Sequence, residues 1–508
     1  MFENNDRFAV IQCNDGARPT VDELNKLDLE SLLSLLRAKK KEEALTPNIL
    51  RKIDSEINAR LSAKSSLTRL LGCLHVLLTT VPIQSSGLSS FQSAVIHVEN
   101  KLKKAVPIPT PHLIQAMYYV SHLKTRSLAQ KFVSTAVRKV EANDFNSICT
   151  NDMGIFCVSL FRCSVPVDRP AILKCIHERF TNDIDALILD NQSTFVSMVK
   201  CFRLSKYYNQ ELVHFIASQG LEKLSNLDIV AKIHLAVYFA VCLYGDVNFI
   251  SSYYKLCIRQ LSDKVSIEKS PPRLKEFDNL LWSCASFNLK EVNEEIAKSK
   301  LPEYVSESLC LLRRDLDTQI ALLSSLWACE IRLEKDIVRY ISPENVKIIK
   351  DSPNFKSRAT LYQLLTCVHL ESPNLLKPNV IQARDNRLQP KYDNYMSKRP
   401  QLKKLLKQLQ DFGQSLGLKN IRFSFEVPAL YIGGVSAEFN GSPISVEVID
   451  QTVCLTNSLH LSGKMKLKLR LLERMGRTFV LVPGADSYNS EDLGELLMPV
   501  QGNKVEMS

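Results

Sequence analysis

The residues of this sequence whose types and spacing suggest chemistry are cations set among leucines near the C-terminus. In the stretch SGKMKLKLRLLERMG, which begins at Ser462, the residues Lys466, Arg470 and Arg474 follow one another at intervals of four. Side chains spaced by four lie on one face of an α-helix, so these cations would form a single basic stripe. Such a stripe can neutralise phosphate groups, which supply much of the affinity of proteins for nucleic acids.

A second basic group lies upstream, in QLKKLLKQLQDFG, where Lys403, Lys404 and Lys407 are interleaved with leucines. Between Arg384 and Arg477 the sequence has sixteen Lys or Arg against eight Asp or Glu, which accounts for +8 of the chain's net charge of +11. This uneven charge favours a polyanionic partner, with nucleic acid ahead of an anionic membrane surface. On charge alone, the alternative is that these side chains form a solvated surface that binds no partner.

The sequence carries no motif of the common phosphate-transferring or hydrolytic enzymes. It lacks the H-R-D and D-F-G motifs of protein kinases, a P-loop, an H-E-x-x-H pair and a G-x-S-x-G turn. The fourteen cysteines include no C-x-x-C pair, which indicates reduced thiols and no zinc site. We therefore expect no metal, no small-molecule cofactor and no kinase activity.

Local signals predict the elements that must position the C-terminal cations. Ser462 is a suitable helix N-cap and Gly476 a suitable residue just past a helix end, so the segment between them is predicted to be helical. Lys464 and Lys468 fall on the apolar side of this helix and must reach solvent or find a partner. TFVLVP is predicted to be the following strand, and two earlier strands are predicted to meet in a tight hairpin at Asn440-Gly441.

The long region upstream is predicted to be helical. From about residue 20 to 380, apolar residues recur at intervals of three and four, and Pro or Gly lie between the periodic runs. Windows that begin at 150, 189 and 224 each combine a polar cap, an apolar helix, a turn and a second helix, which indicates degenerate helix-pair repeats. An irregular α-solenoid is predicted, with a helical bundle as the alternative. The most apolar stretch, 229–245, is interrupted by Lys232 and His234 and is too short to span a membrane.

The C-terminal segment resembles a RAP domain. The matching elements are VEV at 446–448, LSG at 461–463, LKLRLL at 467–472 followed by Gly476, and VLVP at 480–483. Upstream, NLLWSCASFNL, QIALLSSLWACEIRL and LLTCVHLESP resemble the two homology regions of the FAST-kinase-domain (Fas-activated serine/threonine kinase) family, which precede a RAP domain in that order. The resemblance spans roughly residues 270 to 485.

This resemblance implies a function in the mitochondrial matrix. Members of the family are RNA-binding proteins that govern processing, stability or translation of organelle transcripts, so single-stranded mitochondrial RNA is the implied partner, with RNA-granule proteins as further candidates. The N-terminus, MFENNDRFAV, is not a convincing transit peptide because it contains Glu3 and Asp6. The predicted segments are an N-terminal helical segment (1–60), the helical repeats (61–270), the homology regions (271–381), a basic linker and helix (382–427), the RAP domain (428–486) and a C-terminal tail (487–508).

A RAP domain is also similar to small nucleases of the restriction-endonuclease-like fold, in which an Asp and a Glu-x-Lys motif serve a divalent metal. Glu447 matches the second acid and is the only remnant candidate for a catalytic residue. The predicted hairpin register places Gly434 opposite Glu447, where a second carboxylate would be required, and Ile449 stands in the position of the lysine. Asp450 is a candidate replacement for the missing acid. We expect no nuclease activity from this arrangement.

The sequence thus predicts a mainly α-helical protein with a small α/β domain at its C-terminal end, which binds RNA. Two alternatives are a metal-dependent RNA endonuclease that uses Glu447 and a protein-binding scaffold without RNA contact. The candidate phosphate contacts are Lys466, Arg470, Arg474, Lys403, Lys404 and Lys407.

Overall fold

The computed structural model describes residues 21–103, 108–140, 142–267, 273–310, 315–377, 389–427, 429–484 and 489–497. In this part of the chain the protein is mainly helical, with one four-stranded sheet near the C-terminus. The chain divides into two compact units, Met1–Phe215 and Ile216–Ser508. The first 20 residues of the predicted N-terminal segment, residues 382–388 of the predicted linker and the tail from 498 lie outside the described residues.

Several helices of the first unit begin at a residue whose side chain caps the first turn. The side chains of Asp28, Thr46 and Ser66 each accept a hydrogen bond from the backbone N–H three residues later, which satisfies a donor that the first helical turn leaves unpaired. The helices are α1 (Leu29–Lys41), α2 (Pro47–Arg60), α3 (Leu67–Thr80), α4 (Ser89–Leu102), α5 (Thr110–Val120), α6 (Arg126–Lys139), α7 (Ala142–Asn146), α8 (Thr150–Cys163), α9 (Pro170–Asn182), α10 (Ile184–Leu189), α11 (Gln192–Leu204) and α12 (Gln210–Ser218), which continues into the second unit. Of these, α3, α5, α8 and α11 pack against one another in succession.

The second unit contains the remaining helices and the sheet. Its helices are α13 (Gly220–Leu224), α14 (Ile229–Cys242), α15 (Val247–Ile267), α16 (Leu274–Phe287), α17 (Lys290–Lys298), α18 (Leu301–Leu309), α19 (Leu316–Ala328), α20 (Glu334–Tyr340), α21 (Pro343–Lys350), α22 (Phe355–Glu371), α23 (Tyr392–Ser397), α24 (Pro400–Phe412), α25 (Gly463–Arg474) and α26 (Ser490–Leu497). Here α14, α16, α19 and α22 pack in succession. The three windows predicted as helix pairs contain α8 with α9, α11 with α12, and α14 with α15, so each prediction of two helices is confirmed.

The strands are β1 (Leu418–Ser424), β2 (Gly434–Phe439), β3 (Ser442–Ile449) and β4 (Thr478–Pro483), in the sheet order β1-β2-β3-β4. The first three strands are antiparallel, and β4 runs parallel to β3. Val435 pairs with Val446, which is the register expected from the hairpin turn, and Asn440 and Gly441 both have positive φ, at 50° and 79°. The predicted hairpin and the strand TFVLVP are confirmed, whereas β1 lies in a segment predicted as linker and helix.

The sheet buries one face against α24. Leu402, Leu405 and Leu409 of this helix lie in one hydrophobic core with Val435 and Val446 of the sheet. The strand β1 contributes to the same core, so α24 and β1 pack as parts of one structure with the segment from 429 to 484, although the predicted division at residue 428 separates them. Within the described residues, no helix is both long and apolar enough to cross a membrane.

Candidate nucleic-acid interface

The helix predicted from its flanking residues is confirmed as α25. Ser462 precedes it in extended conformation, and the chain leaves it through Gly476, whose φ of 69° suits a residue without a side chain. Two features of α25 decide what its cations do. One side of the helix meets the sheet, and another side meets α16 and α22 of the same unit.

Lys468 faces the sheet and is fully buried. Because Val446 packs toward α24, the next residue, Glu447, points to the opposite face, where it accepts a hydrogen bond from Lys468 Nζ. Both side chains have no exposed surface. Burial lowers the pKa of Lys468, and Glu447 opposes that effect. A Cβ at Gly434 would lie 2.4 Å from a Glu447 oxygen, so the glycine makes room for this pair. The buried partner that Lys468 required is therefore Glu447.

The acids considered for a nuclease site are engaged in other contacts. Glu447 is enclosed with Lys468, and Asp450 Oδ2 lies 2.8 Å from Nε of Arg399, an arginine that is itself buried. Glu426, which sequence reasoning did not consider, pairs with Arg477 at 2.6 Å, and burial raises its pKa. Among the residues that the structure describes, no cluster of three or more His, Cys, Asp or Glu side chains is arranged to hold a metal ion.

Lys466 and Arg470 reach the C-terminal ends of helices in the same unit. Lys466 Nζ donates a hydrogen bond of 3.2 Å to the carbonyl of Asn288, which directly follows α16. Arg470 donates bonds of 3.1 and 3.2 Å to the carbonyls of Trp327 and Ala328, the last two residues of α19. Carbonyls at a helix C-terminus lack intrahelical donors and carry the negative end of the macrodipole, so a cation is stabilising there.

Arg470 also joins a buried group of charges. Its Nε lies 2.8 Å from Oε1 of Glu371, the last residue of α22, which is only 4% exposed. The other oxygen of Glu371 lies 3.0 Å from Nη2 of Arg332 and accepts a bond from the indole N–H of Trp327. The guanidinium of Arg332 lies 4.1 Å from the centre of the Trp327 indole, a cation–π contact. Removing Arg470 would therefore disturb a network of several partners.

The loop before α25 extends the same arrangement to α14. Thr456 donates through its backbone N–H to the carbonyl of Leu243 at 2.7 Å, and through its hydroxyl to the carbonyl of Cys242 at 2.9 Å. Gly463 approaches α16 so closely that a Cβ there would lie 2.0 Å from the carbonyl oxygen of Ala285. Between 456 and 470 the chain thus contacts the ends of α14, α16 and α19 in order. We call these bonds of Thr456, Lys466 and Arg470 the helix-end contact.

The six predicted phosphate contacts consequently fall into two groups. Lys466 and Arg470 belong to the helix-end contact, and only 16% of the Arg470 side chain is exposed. Burial lowers the pKa of Lys466. Exposed at the protein surface are Arg474, Lys403, Lys404 and Lys407.

The exposed group is concentrated on α24. Its leucines at 402, 405, 406 and 409 are buried, which leaves the three lysines on the solvent side of the helix, where Asp411 is the one acidic residue of α24. Among the described residues from 389 to 484, nine Lys or Arg side chains are exposed, against four Asp or Glu side chains. The cations are Lys391, Lys398, Lys403, Lys404, Lys407, Lys419, Arg422, Lys464 and Arg474.

Sequence reasoning missed Arg399, Thr456 and the helix ends that α25 contacts. One signal in the sequence was informative: in KMKLKLR, cations occur at every second residue, so on a helix they point in several directions. If such a helix is packed on more than one side, some of its cations must point into the protein and cannot belong to a solvent-exposed stripe. The partners themselves lie more than 100 residues away along the chain.

No known protein-family model matches the sequence, and a search of curated proteins finds no match for it.

Proposed function

We propose that this protein binds single-stranded RNA and acts in mitochondrial RNA metabolism, in the processing, stability or translation of organelle transcripts. The observation that carries the proposal is the solvent side of α24, where three lysines are exposed above leucines that anchor the helix to the sheet. The surrounding excess of exposed cations favours the same class of partner. Lysine contacts to phosphate would supply affinity and orientation without reading the sequence.

The proposal includes the finer architecture that the family resemblance implies. In it, the helix pairs form an irregular α-solenoid, and the sheet with α24 and α25 is a RAP domain of restriction-endonuclease-like fold, in a member of the FAST-kinase-domain family located in the mitochondrial matrix. Two observations support it. Helices pack in succession within each unit, and the sheet carries a helix on each face. Imaging of the tagged full-length protein beside a matrix marker tests the location.

Binding of a labelled single-stranded RNA by the purified protein, measured by fluorescence anisotropy from 50 to 300 mM KCl, tests the proposal. The variant Lys403→Gln/Lys404→Gln/Lys407→Gln is expected to bind more weakly. Its slope of log affinity against log salt should fall by about 2, since each phosphate contact to a single strand contributes about 0.7. The matched control, Lys290→Gln/Lys300→Gln/Lys335→Gln, removes three exposed lysines elsewhere in the unit and should retain the wild-type slope.

Two results would contradict the proposal. Absence of RNA binding by the wild-type protein would favour the scaffold alternative, and binding that is insensitive to salt would remove the role of the lysines. The same preparation distinguishes the nuclease alternative. Cleavage of the RNA with Mg²⁺ or Mn²⁺ that is abolished by Glu447→Gln would support an endonuclease instead.

A further inference from the structure

A second basic surface lies in the first unit, at the C-terminal ends of α5, α8 and α11. The helix α8 packs between the other two, and cation–ring contacts join residues near the C-terminal ends of neighbouring helices. The segments that contain these ends, 117–127, 157–167 and 199–209, include no Asp or Glu. They contain six cations: Lys124, Arg126, Arg162, Lys200, Arg203 and Lys206.

Aromatic rings alternate with the cations along this row. The guanidinium of Arg162, on α8, lies 5.3 Å from the ring centre of Tyr118, on α5. One helix further, Nζ of Lys200 on α11 lies 5.2 Å from the ring centre of Phe161 on α8. The helices α5 and α8 thus each supply a ring that is approached by a cation from the next helix. We call these four residues the ring-and-cation row.

The row is accessible and its geometry is fixed by its neighbours. Arg162 is exposed, while Tyr118, Phe161 and Lys200 are partly exposed. The ring of His122 stands edge-on to Tyr118 at 4.9 Å and its Nε2 contacts Arg162. Burial and the charge of Arg162 lower the pKa of His122 to about 4, so at neutral pH this ring is uncharged. The positive charge of the row comes from lysine and arginine.

We propose that the ring-and-cation row binds single-stranded RNA, with Arg162 and Lys200 contacting phosphates and with Tyr118 and Phe161 stacking on bases. Six cations in segments that contain no Asp or Glu favour a polyanion, and bases stack on aromatic rings in proteins that bind single strands. Rings on two neighbouring helices also suit the way in which helical-repeat proteins read successive bases. This inference rests on the proposed function for the identity of the partner, but it uses residues that are separate from α24.

Interaction with the helix ends alone does not account for this surface. A cation in the last turn is stabilised by the macrodipole, and this applies to Arg162 and Arg203. Lys124 and Lys206 lie beyond the last turns of α5 and α11 and are exposed, so the positive surface extends past the region where that effect acts. Stabilising a helix end would not require the rings of Tyr118 and Phe161 to be exposed, yet both are partly exposed.

Two variants of the full chain separate the roles in the RNA-binding assay. Arg162→Gln/Lys200→Gln is expected to weaken binding at 150 mM KCl at least fivefold and to lower the salt slope by about 1.4, from two phosphate contacts. Tyr118→Leu/Phe161→Leu is expected to weaken binding at least about fivefold with an unchanged salt slope, because stacking involves no counterion release. The control Lys131→Gln/Arg138→Gln removes two exposed cations from α6 and should bind as the wild type does. Circular dichroism melting identifies any variant that fails to fold.

The outcomes distinguish this inference from the proposed function. If the wild type binds RNA and the α24 variant is impaired, but both row variants bind normally, the row is not an RNA site and the proposed function stands. An equal loss in the α6 control would also overturn the inference, since any removed charge would then suffice.

Vesicles that contain phosphatidylserine provide the last comparison. If Arg162→Gln/Lys200→Gln no longer binds these vesicles but still binds RNA, the surface is a site for an anionic membrane. If the wild type binds no RNA, both proposals fail.

Discussion

The helices α24 and α25 have similar compositions and use their cations in opposite ways. Both are leucine-rich, both carry several lysines, and they cover opposite faces of one sheet. The helix α24 is covered on one side, so its lysines face solvent. The helix α25 is covered by the sheet and by other helices, so Lys466, Lys468 and Arg470 make bonds inside the protein. The number of cations in a segment therefore does not show how many of them are accessible to a partner, whereas the number of sides on which its helix is packed does.

The order of residues along each helix accounts for the difference. In α24 the leucines recur at intervals of three and four, which gives one apolar stripe and one polar side. In α25 the sequence KMKLKLR alternates, which distributes apolar side chains and cations around the circumference. Such a helix is stable only where carboxylates or carbonyls at helix ends form bonds with the cations that point into the protein. Glu447, Glu371 and the carbonyls at the ends of α16 and α19 fulfil this need.

The largest effect is expected for Lys468→Met. This change leaves the carboxylate of Glu447 buried without its cation, and removing one partner of a buried pair costs about 3 to 5 kcal/mol of stability. The free energy of unfolding of the second unit can be followed by tryptophan fluorescence, because Trp282 and Trp327 are the chain's two tryptophans. Lys404→Met, on the exposed side of α24, is the matched control and should change stability by less than about 0.5 kcal/mol.

A double change sharpens this prediction. In Glu447→Leu/Lys468→Met neither charge is buried, so most of the stability lost in the single variant should return. If the single variant were as stable as the wild type, the pair would not stabilise the packing of α25 on the sheet, and the contrast with α24 would lose its main support.

An intermediate effect is expected for Arg470→Met. It removes the donors to the carbonyls of Trp327 and Ala328 and one partner of the buried Glu371. Because Glu371 keeps its contacts with Arg332 and Trp327, we expect a loss of about 2 to 3 kcal/mol. Urea unfolding monitored by tryptophan emission measures it. Arg474→Met, one turn later and exposed, is the control, and equal losses in the two variants would show that the helix-end contact contributes nothing.

Lys466 should give a smaller effect that depends on pH. At pH 7, Lys466→Met removes one bond to the end of α16 and is expected to cost about 1 kcal/mol or less. Burial lowers the pKa of Lys466 in the folded protein, whereas the unfolded chain keeps an ordinary lysine pKa near 10.4. Between these two pKa values the unfolded chain binds more protons, so the wild type gains stability with rising pH.

The measurement for Lys466 is the free energy of unfolding of wild type and Lys466→Met from pH 7 to pH 10.5. The difference between them should shift in favour of the wild type toward the alkaline end, because the folded lysine loses its proton first. Other titrating groups are common to both proteins and cancel in the difference. A constant difference across this range would mean that Lys466 is solvated in the folded protein, as the lysines of α24 are.

Local signals made much of the C-terminal fold predictable. Asn440-Gly441 predicted the hairpin and its register, and Ser462, whose side chain makes no cap hydrogen bond, predicted with Gly476 the bounds of α25, because each of these residues acts on its own neighbours. The strand β1 was missed because its register shifts between Lys419 and Arg422. That irregularity interrupts the alternation by which a strand is recognised in a sequence.

The contacts of the candidate site could be anticipated only in part. The position of Lys468 on the apolar side of its helix predicted that it must reach solvent or find a partner, and the packing of α25 on the sheet decides between these and sets the partner. The helix-end contact joins Thr456 to Cys242 and Arg470 to Ala328 across 214 and 142 residues. No local pattern encodes such pairs, and a carbonyl at a helix end is an acceptor that any residue type provides.

The smallest change in stability is expected for Lys403→Gln/Lys407→Gln on α24, at less than about 0.5 kcal/mol. Both lysines are exposed, and the helix is held by its leucines, so the free energy of unfolding should stay at the wild-type value while the affinity for RNA falls. Melting and RNA binding of one preparation give both values. A loss of 1 kcal/mol or more would show that these lysines stabilise the protein as those of α25 do. A weaker affinity for RNA would then report a damaged fold, and the proposed RNA-binding role of α24 would lose the observation that carries it.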